Sequence, residues 1–175
     1  MIRILRQIFR TGIVTEPLPA AEQEIKVIGT RLEDAIRRRF SRSLTIRQVD
    51  AGSCNGCELE IHAVNNSFYN CERFGVHFTA SPRFADMLLV TGPVTTNMEI
   101  ALRRTYNATP SPKLVVAVGD CGCNGGIFGE SYATLGGIDK VIPVDVFIPG
   151  CPPTPVALLN GILAAVNGGA KKGGR

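Results

Sequence analysis

The sequence predicts a doubly wound α/β domain built on a mostly parallel β-sheet. From residue 44 onward, short apolar runs typical of buried strands alternate with stretches of helical periodicity. The run M-L-L-V at 87–90 is apolar at every position, as a strand covered on both faces requires. With 175 residues, of which 45% are hydrophobic, the chain is long enough for one domain with a substantial core.

The predicted elements of this domain follow one another in a regular order. Strands are predicted, from the apolar β-rich runs, over residues 44–49, 76–79, 87–90, 114–118 and 144–148. Helices are predicted, from the helical periodicity, over residues 58–66, 97–106 and 156–166. Thr154 is a suitable N-cap for the last helix, and Pro155 suits its first turn. Helices between the strands imply a sheet that is covered on both faces.

The two ends of the chain differ from the domain, which we expect over 44–167. Residues 1–43 form a predicted N-terminal extension for docking at the membrane side or on another subunit. Its first ten residues place Ile2, Leu5 and Phe9 on one face of a basic amphipathic helix; the alternative is a terminus that folds onto its own domain. Residues 15–23 indicate a linker and 32–40 a helix. The basic tail, 168–175, is expected to be disordered because it has almost nothing apolar to bury.

Charge and hydropathy exclude several classes of protein. Residues 51–167 carry six Lys/Arg against nine Asp/Glu, whereas a nucleic-acid-binding domain would cluster basic residues. No apolar run approaches the roughly 18 to 20 residues of a membrane-spanning helix, and the N-terminus lacks the features of a signal peptide. We therefore expect a protein of the cytoplasm or of the cytoplasmic face of the membrane, attached peripherally. In that reducing compartment, six cysteines favour metal binding or redox chemistry over disulfides.

Four of the six cysteines follow the carboxyl ends of predicted strands. Cys54 and Cys57 follow the strand that ends near residue 49, Cys121 follows the strand that ends at 118, and Cys151 follows the strand that ends at 148. Open α/β sheets bind their ligands at this edge, so these thiols can converge. Four thiolates can hold one tetrahedral zinc ion or a [4Fe–4S] cluster.

The spacing of these cysteines favours the cluster, with zinc as the alternative. Structural zinc usually lies between two nearby C-x₂-C pairs in a small domain. Here a single C-x₂-C pair is followed, at long separations, by two single cysteines in a domain with ample core. The loops also contain many glycines, which let backbone N–H groups approach the sulfurs of a group larger than one ion. These glycines are Gly52, Gly56, Gly119, Gly122, Gly125, Gly126 and Gly150.

Four motifs occur in the order found in a known family: S-C-N-G-C-E-L-E at 53–60, T-G-P-V-T at 91–95, G-D-C-G-C-N-G-G-I-F at 119–128 and P-V-D-V-F-I-P-G-C-P-P-T-P at 143–155. Together they resemble the small subunit of membrane-bound, energy-converting [NiFe] hydrogenases of the formate-hydrogenlyase type. They are also similar to the homologous cluster-bearing subunit of respiratory complex I. The resemblance covers about residues 44–166. It implies a flavodoxin-like domain that holds one [4Fe–4S] cluster next to the active site of a large subunit.

The resemblance also implies which cysteines bind the cluster. Matched position by position, the ligands are Cys54, Cys57, Cys121 and Cys151. Cys123 occupies a position that the family fills with other residues. We interpret Cys123 and Cys71 as small, buried apolar residues. Residues 92–97 are expected to form a loop that faces the cluster or a partner, although the entry to a helix would have the same sequence pattern.

The partners follow from the same resemblance. The chain is expected to be an oxidoreductase subunit that is not catalytic alone and that relays single electrons. The implied partners are a [NiFe]-bearing hydrogenase large subunit, a ferredoxin-like iron–sulfur subunit and membrane ion-translocating subunits. Complex I members carry adjacent cysteines in the first motif, whereas this chain has C-N-G-C, which favours the hydrogenase branch. Because no cysteine follows Cys151, the chain is expected to hold a single cluster.

Three alternatives stay open at this point: a complex I-type subunit at which a quinone accepts electrons, a relative whose large subunit has lost nickel, and a zinc-stapled interaction module. The neighbouring polar residues do not separate them. Glu58 and Glu60 are interpreted as solvated charges or partner contacts rather than parts of a proton route. Asp120 either tunes the cluster's potential or caps a turn, and His62 and His77 are interpreted as structural.

Overall fold

The structure, a computed structural model, describes residues 2–11 and 20–168. Within these residues the chain folds into helices and strands in this order: α1 (Ile2–Thr11), α2 (Ala20–Phe40), β1 (Leu44–Asp50), α3 (Gly56–Val64), β2 (Val76–Phe78), β3 (Met87–Thr91), α4 (Glu99–Ala108), β4 (Leu114–Val118), α5 (Gly119–Asn124), β5 (Val146–Ile148) and α6 (Pro155–Val166). Short 3₁₀ turns lie at Cys71–Phe74, Pro82–Phe84 and Ile138–Lys140. In the described part of the chain, no helix is long and apolar enough to cross a membrane.

The five strands form one parallel sheet in the order β2-β1-β3-β4-β5. In the centre, Val49 of β1 pairs with Val90 of β3, which pairs in turn with Ala117 of β4. This is the strand order of flavodoxin-like doubly wound folds, in which the chain reverses its direction of winding between the first and third strands. The predicted fold class is confirmed, and each predicted strand overlaps an observed one.

Each face of the sheet has its own hydrophobic core, as a doubly wound sheet requires. Alternate residues of β3 point to opposite sides: Met87 and Leu89 join one core, and Leu88 and Val90 join the other. Helices α2, α3 and α6 supply the first core, and α4 supplies the second with the turn at Ile138–Lys140. Every residue of β3 and β4 is buried, which explains why these two strands are apolar throughout.

Helix α2 is longer than the sequence predicts. The predicted linker at 15–23 is wrong from Ala20 onward, where the helix begins; residues 12–19 lie outside the described residues. Ile25, Ile28 and Leu32 follow one another at helical spacing and are buried in the domain. The additional residues, 20–31, are about three helical turns, and they form because they have an apolar face to bury. The division into residues 1–43, 44–167 and 168–175 stays a prediction, and residues 169–175 also lie outside the described residues.

Two contacts hold α2 against the rest of the domain. The ring of Phe74 lies against Gly29, in the space where a side chain at this position would be. At the end of the helix, the Arg39 guanidinium donates hydrogen bonds to the carbonyl oxygens of Ala165 (2.9 Å) and Val166 (2.6 Å). These carbonyls end α6, so the positive charge of Arg39 also lies at the negative end of that helix dipole.

Candidate metal centre

The four thiols that the sequence singles out line one small cavity at the carboxyl edge of the sheet. This cavity, of about 40 Å³, is bordered by Cys54, Cys57, Cys121 and Cys151. The cysteines follow β1, β4 and β5, and the cavity opens where the strand order reverses, the usual ligand site of an open α/β sheet. The structure thus brings together thiols that are up to 97 positions apart in the sequence.

A hydrogen-bonded turn fixes the first cysteine loop. Asp50, at the end of β1, accepts hydrogen bonds from the backbone N–H groups of Gly52 and Ser53, each at 2.7 Å. This side chain-to-backbone turn ends the strand and directs the chain toward Cys54. Helix α3 begins two residues later, so Cys57 lies in its first turn.

The second and third cysteine loops are joined through Asp120. The backbone N–H of Asp120 donates to the carbonyl of Gly150 at 2.9 Å, and the N–H of Gly150 donates to the Asp120 carboxylate at 2.8 Å. Each of these residues is followed directly by a cysteine, Cys121 or Cys151. The pair of hydrogen bonds therefore sets the distance between the two loops. Of the two roles predicted for Asp120, capping a turn is closer to what the structure shows. The backbone N–H that its carboxylate binds, however, belongs to Gly150 in another loop.

Residues 119–124 form a short helix, α5, and not the loop that their glycine content predicts. Its start is held by the Asp120–Gly150 pair just described. The cap of α6 agrees with the prediction: the Thr154 hydroxyl accepts a hydrogen bond from the N–H of Ala157 at 3.3 Å, and Pro155 is the first helical residue.

Glycines leave space around three of the four sulfurs. A Cβ atom at Gly119 would lie 2.6 Å from the Cys57 Sγ, and one at Gly126 would lie 2.8 Å from the Cys121 Sγ. At Gly56, a Cβ would lie 3.6 Å from the Cys54 Sγ. Any side chain at Gly119 or Gly126 would occupy the space that the thiols now have. Four soft thiol donors surrounded by bare backbone fit a thiolate-bound iron–sulfur group.

The loop after β3 packs against the first cysteine loop and borders the same cavity. Gly92 lines the cavity, and a Cβ there would lie 2.6 Å from the backbone nitrogen of Ser53. The N–H of Thr95 donates to the carbonyl of Ala51 at 2.9 Å. Residues 92–97 are expected from the sequence to face the cluster or a partner, and of these residues only Gly92 borders the cavity. Only a glycine allows the two backbones to approach this closely at Gly92, which also has a positive φ of 78°.

Two of the cavity's thiols, Cys57 and Cys121, have a raised pKa. Burial, as the largest cause, together with the neighbouring Glu58 and the other three thiols raises the pKa of Cys57 to about 12. Burial, Cys151 and Cys54 likewise raise the pKa of Cys121. These mutual effects mean that several thiolates in this cavity repel one another. A bound cationic centre removes the repulsion, and its binding releases protons from the thiols.

Glu58 is not the solvated charge or partner contact that the sequence suggests. It is buried, and the hydroxyl of Thr91 donates a hydrogen bond to its Oε1. Its Oε2 is buried with no hydrogen-bond partner among the described residues. In the sequence, Thr91 is noted only as the first residue of the T-G-P-V-T motif, and its contact with Glu58 is not predicted. Glu60 is half-buried, and His62 and His77 are exposed.

The remaining cysteines lie away from the cavity wall. Cys71 is fully buried in the core beneath α2, its Sγ donates to the Asn65 side chain at 3.6 Å, and burial raises its pKa to about 11. The interpretation of Cys71 as a buried apolar residue is confirmed. Cys123 is half-buried, and its Sγ donates to the Ala117 carbonyl at 4.0 Å. Neither residue borders the thiol cavity.

In the ranges 2–11 and 20–168, no group of three or more His, Cys, Asp or Glu side chains is arranged so that it could hold a metal ion. The four thiols line a common cavity, but their assignment as ligands stays a prediction.

The strand order and the cysteine-lined edge define a flavodoxin-like α/β protein with a thiol site at its topological switch point. Sequence comparison then identifies the family. The chain belongs to the family described as NADH ubiquinone oxidoreductase, 20 Kd subunit, whose pattern matches residues 54–165. That range contains all four thiols of the cavity. The predicted resemblance is confirmed, and with it, at the level of the family, the prediction of an oxidoreductase subunit.

Two relatives are similar over most of this chain. Formate hydrogenlyase subunit 7 of Escherichia coli (strain K12) is 45% identical over 135 residues, which are 77% of this chain and 53% of the relative. This chain thus spans about half the length of that protein. The probable membrane-bound hydrogenase subunit mbhJ of Pyrococcus furiosus is 49% identical over 132 residues, which are 75% of this chain and 79% of the relative.

Solved structures agree with this fold. A chain in the structure of the membrane-bound sulfane sulfur reductase, an archaeal respiratory membrane complex, superposes with a TM-score of 0.64 and 38% identity, covering 78% of this chain and 74% of its own. A chain in the crystal structure of an NAD⁺-reducing [NiFe]-hydrogenase superposes with a TM-score of 0.56 and 20% identity, covering 76% of this chain and 96% of its own. The second likeness concerns the fold alone.

Proposed function

We propose that this chain is the electron-transfer subunit of a membrane-bound hydrogenase complex and that it holds one [4Fe–4S] cluster through Cys54, Cys57, Cys121 and Cys151. The observation that supports this most is that three loops, distant in sequence, direct these four thiols to one cavity. The bound cluster supplies a one-electron carrier. The subunit passes electrons to or from a large subunit whose [NiFe] centre evolves or oxidises H₂, coupled to ion translocation.

The chain's own contribution to this function is to hold the cluster and to set its surroundings. Glycine backbone next to the sulfurs allows N–H groups to approach them, and hydrogen bonds to the sulfurs raise a cluster's potential because they stabilise its reduced, more negative form. Asp120 keeps the loops of Cys121 and Cys151 together. Cys54 and Cys151 are exposed, so the cluster lies at the surface, where a redox partner can approach it closely.

Exposed apolar side chains close to the thiols in sequence support a partner that covers the site. Ile127 and Tyr132, just beyond α5, are 89% and 99% exposed, and Leu59, two residues after Cys57, is 68% exposed. Exposed large apolar side chains are typical of interfaces, and we assign these three to the contact with the large subunit. A ferredoxin-like subunit and membrane ion-translocating subunits complete the proposed complex, at the cytoplasmic face of the membrane.

The relatives support the membrane and hydrogenase parts of this proposal. One is named as a formate hydrogenlyase subunit and another as a probable membrane-bound hydrogenase subunit. The test is low-temperature EPR of the anaerobically purified, dithionite-reduced complex, together with iron and nickel analysis. We expect the signal of a reduced [4Fe–4S] cluster that is lost when Cys151 is replaced by serine, and nickel in the large subunit. A colourless protein that contains zinc and no iron would overturn the proposal in favour of a zinc-stapled module.

A second candidate is a complex of the same architecture whose large subunit lacks nickel. It is favoured by the structural relative, which is named as a sulfane sulfur reductase. The thiol site would keep its role, and only the terminal acceptor would differ. Nickel content separates the two candidates. The electron acceptor also separates them, since a hydrogenase reduces protons and the nickel-free complex reduces sulfane sulfur. A complex I-type subunit would instead pass electrons to a quinone. A complex with iron but without nickel or H₂ evolution would favour this second candidate.

A further inference from the structure

Helix α1 has an apolar face that is exposed to solvent. No residue of this ten-residue helix is buried. Its large apolar side chains are between 51% and 86% exposed; they are Ile2, Ile4, Leu5, Ile8 and Phe9. Single exposed apolar residues are common, but five on one short helix form a continuous surface that water solvates poorly. The helix therefore needs an apolar environment that the described residues do not provide.

The opposite face of α1 is purely basic. At 100° per residue, the five apolar side chains lie within an arc of about 160°, and the three arginines lie within about 60° on the other side. These are Arg3, Arg6 and Arg10, and the helix contains no Asp or Glu. Gln7 and Thr11 fill the remaining arc. The division between an apolar half and a cationic strip is thus complete along the helix.

We propose that α1 lies in the plane of a bilayer that contains anionic lipids and anchors this chain to it. The apolar half fits the boundary between headgroups and acyl chains, and the arginines reach anionic headgroups with their long side chains. Ten residues extend for only about 15 Å, half of the hydrocarbon thickness, so the helix lies on the membrane and does not span it. A protein groove would need acidic side chains to match three arginines, whereas an anionic bilayer presents this charge everywhere.

The anchor is separate from the thiol site. Helix α1 precedes the residues that match the family, 54–165, and it contributes no group to the cavity. The anchor therefore goes beyond the proposed electron transfer, and vesicle binding needs no cluster. Failure of one proposal leaves the other unaffected.

The test is flotation of the purified full-length protein with vesicles of phosphatidylcholine alone or mixed with phosphatidylglycerol. We expect binding to the mixed vesicles that weakens with added salt. Replacing the three arginines of α1 by glutamine (R3Q/R6Q/R10Q) is expected to lower the partition coefficient on mixed vesicles by about 100-fold. Replacing two apolar residues (L5E/F9E) is expected to remove binding to the mixed vesicles.

A matched control removes the same charge outside the helix. R31Q/R38Q/R104Q changes three exposed arginines, two of α2 and one of α4, and we expect it to bind mixed vesicles like the wild type. Circular dichroism and thermal unfolding show whether each variant keeps its fold. The proposal is overturned if the wild type does not float with anionic vesicles, if the control weakens binding as much as the α1 variants, or if α1 instead joins two copies of the chain in solution.

Discussion

Replacing Gly119 by alanine is expected to remove iron from this protein while leaving its fold intact. The added Cβ would lie 2.6 Å from the Cys57 Sγ, whereas ordinary van der Waals contacts begin at 3.4 Å. The sulfur must therefore move by at least 0.8 Å or the backbone must shift by a similar amount. Metal–ligand distances tolerate changes of only about 0.2 Å, so this displacement is too large for Cys57 to remain a ligand.

The backbone cost of the substitution can be separated from its effect on the site. Gly119 has a φ of 80°, so alanine there also adds about 1–2 kcal/mol of strain. Gly75 has almost the same φ, 78°, but a Cβ at that position meets nothing within 4 Å. Gly75→Ala is therefore the matched control, since it introduces the same strain far from the thiols.

The assay is anaerobic reconstitution with iron and sulfide, followed by counting iron per chain, with urea unfolding of the apo-protein in parallel. We expect both variants to lose about 1–2 kcal/mol of unfolding free energy. Gly75→Ala should bind as much iron as the wild type, and Gly119→Ala should bind little. Full iron content in Gly119→Ala would refute the reasoning, because the cluster would then not depend on the position that the Cys57 sulfur has beside Gly119.

Three further predictions concern the thiols and their supports. Cys121→Ser is expected to lose the cluster and Cys123→Ser to keep it, as iron counts will show. Asp120→Ala removes the acceptor for the N–H of Gly150 and should weaken iron retention against a chelator, whereas Asp120→Asn keeps an acceptor oxygen and most of the iron. The unfolding free energy of the apo-protein should fall as the pH rises from 9 toward 11, because the Cys71 thiol ionises in the unfolded chain before it does in the core; Cys71→Ala should reduce this slope.

Different results would contradict each of these predictions. Iron retained by Cys121→Ser but lost by Cys123→Ser would reverse the ligand assignment. Equal iron retention by Asp120→Ala and the wild type would mean that the two loops are held together without this carboxylate. An unchanged pH slope in Cys71→Ala would show that other thiols account for the whole loss of stability.

Most of the sheet could be predicted because its strands are short apolar runs that end in turn residues. The helix at residues 20–31 could not, since two prolines, Pro17 and Pro19, come just before it and Gly29 lies within it. The structure shows why a glycine is there: the ring of Phe74 occupies the position of its side chain. A contact between residues 45 positions apart weakens the local helical signal, and sequence periodicity cannot reveal it.

The four thiols of the site could be predicted from the sequence, but the hydrogen bonds that hold the loops and helices around them could not. Strand ends and cysteine spacing bring the four thiols to one edge, which follows from topology alone. The burial of Glu58 against Thr91 depends on how α3 packs over β3, and no local pattern indicates it. The hydrogen bonds between Asp120 and Gly150 likewise join segments that the sequence analysis treats as separate loops.

Anomalous diffraction at the iron edge, from crystals of the anaerobically purified protein, tests the central claim most directly. We predict a peak that resolves into four iron atoms, each bonded to the sulfur of one of four cysteines: Cys54, Cys57, Cys121 and Cys151. A single metal ion at this edge of the sheet, or iron bound by Cys71 or Cys123 in place of one of these four, would contradict it.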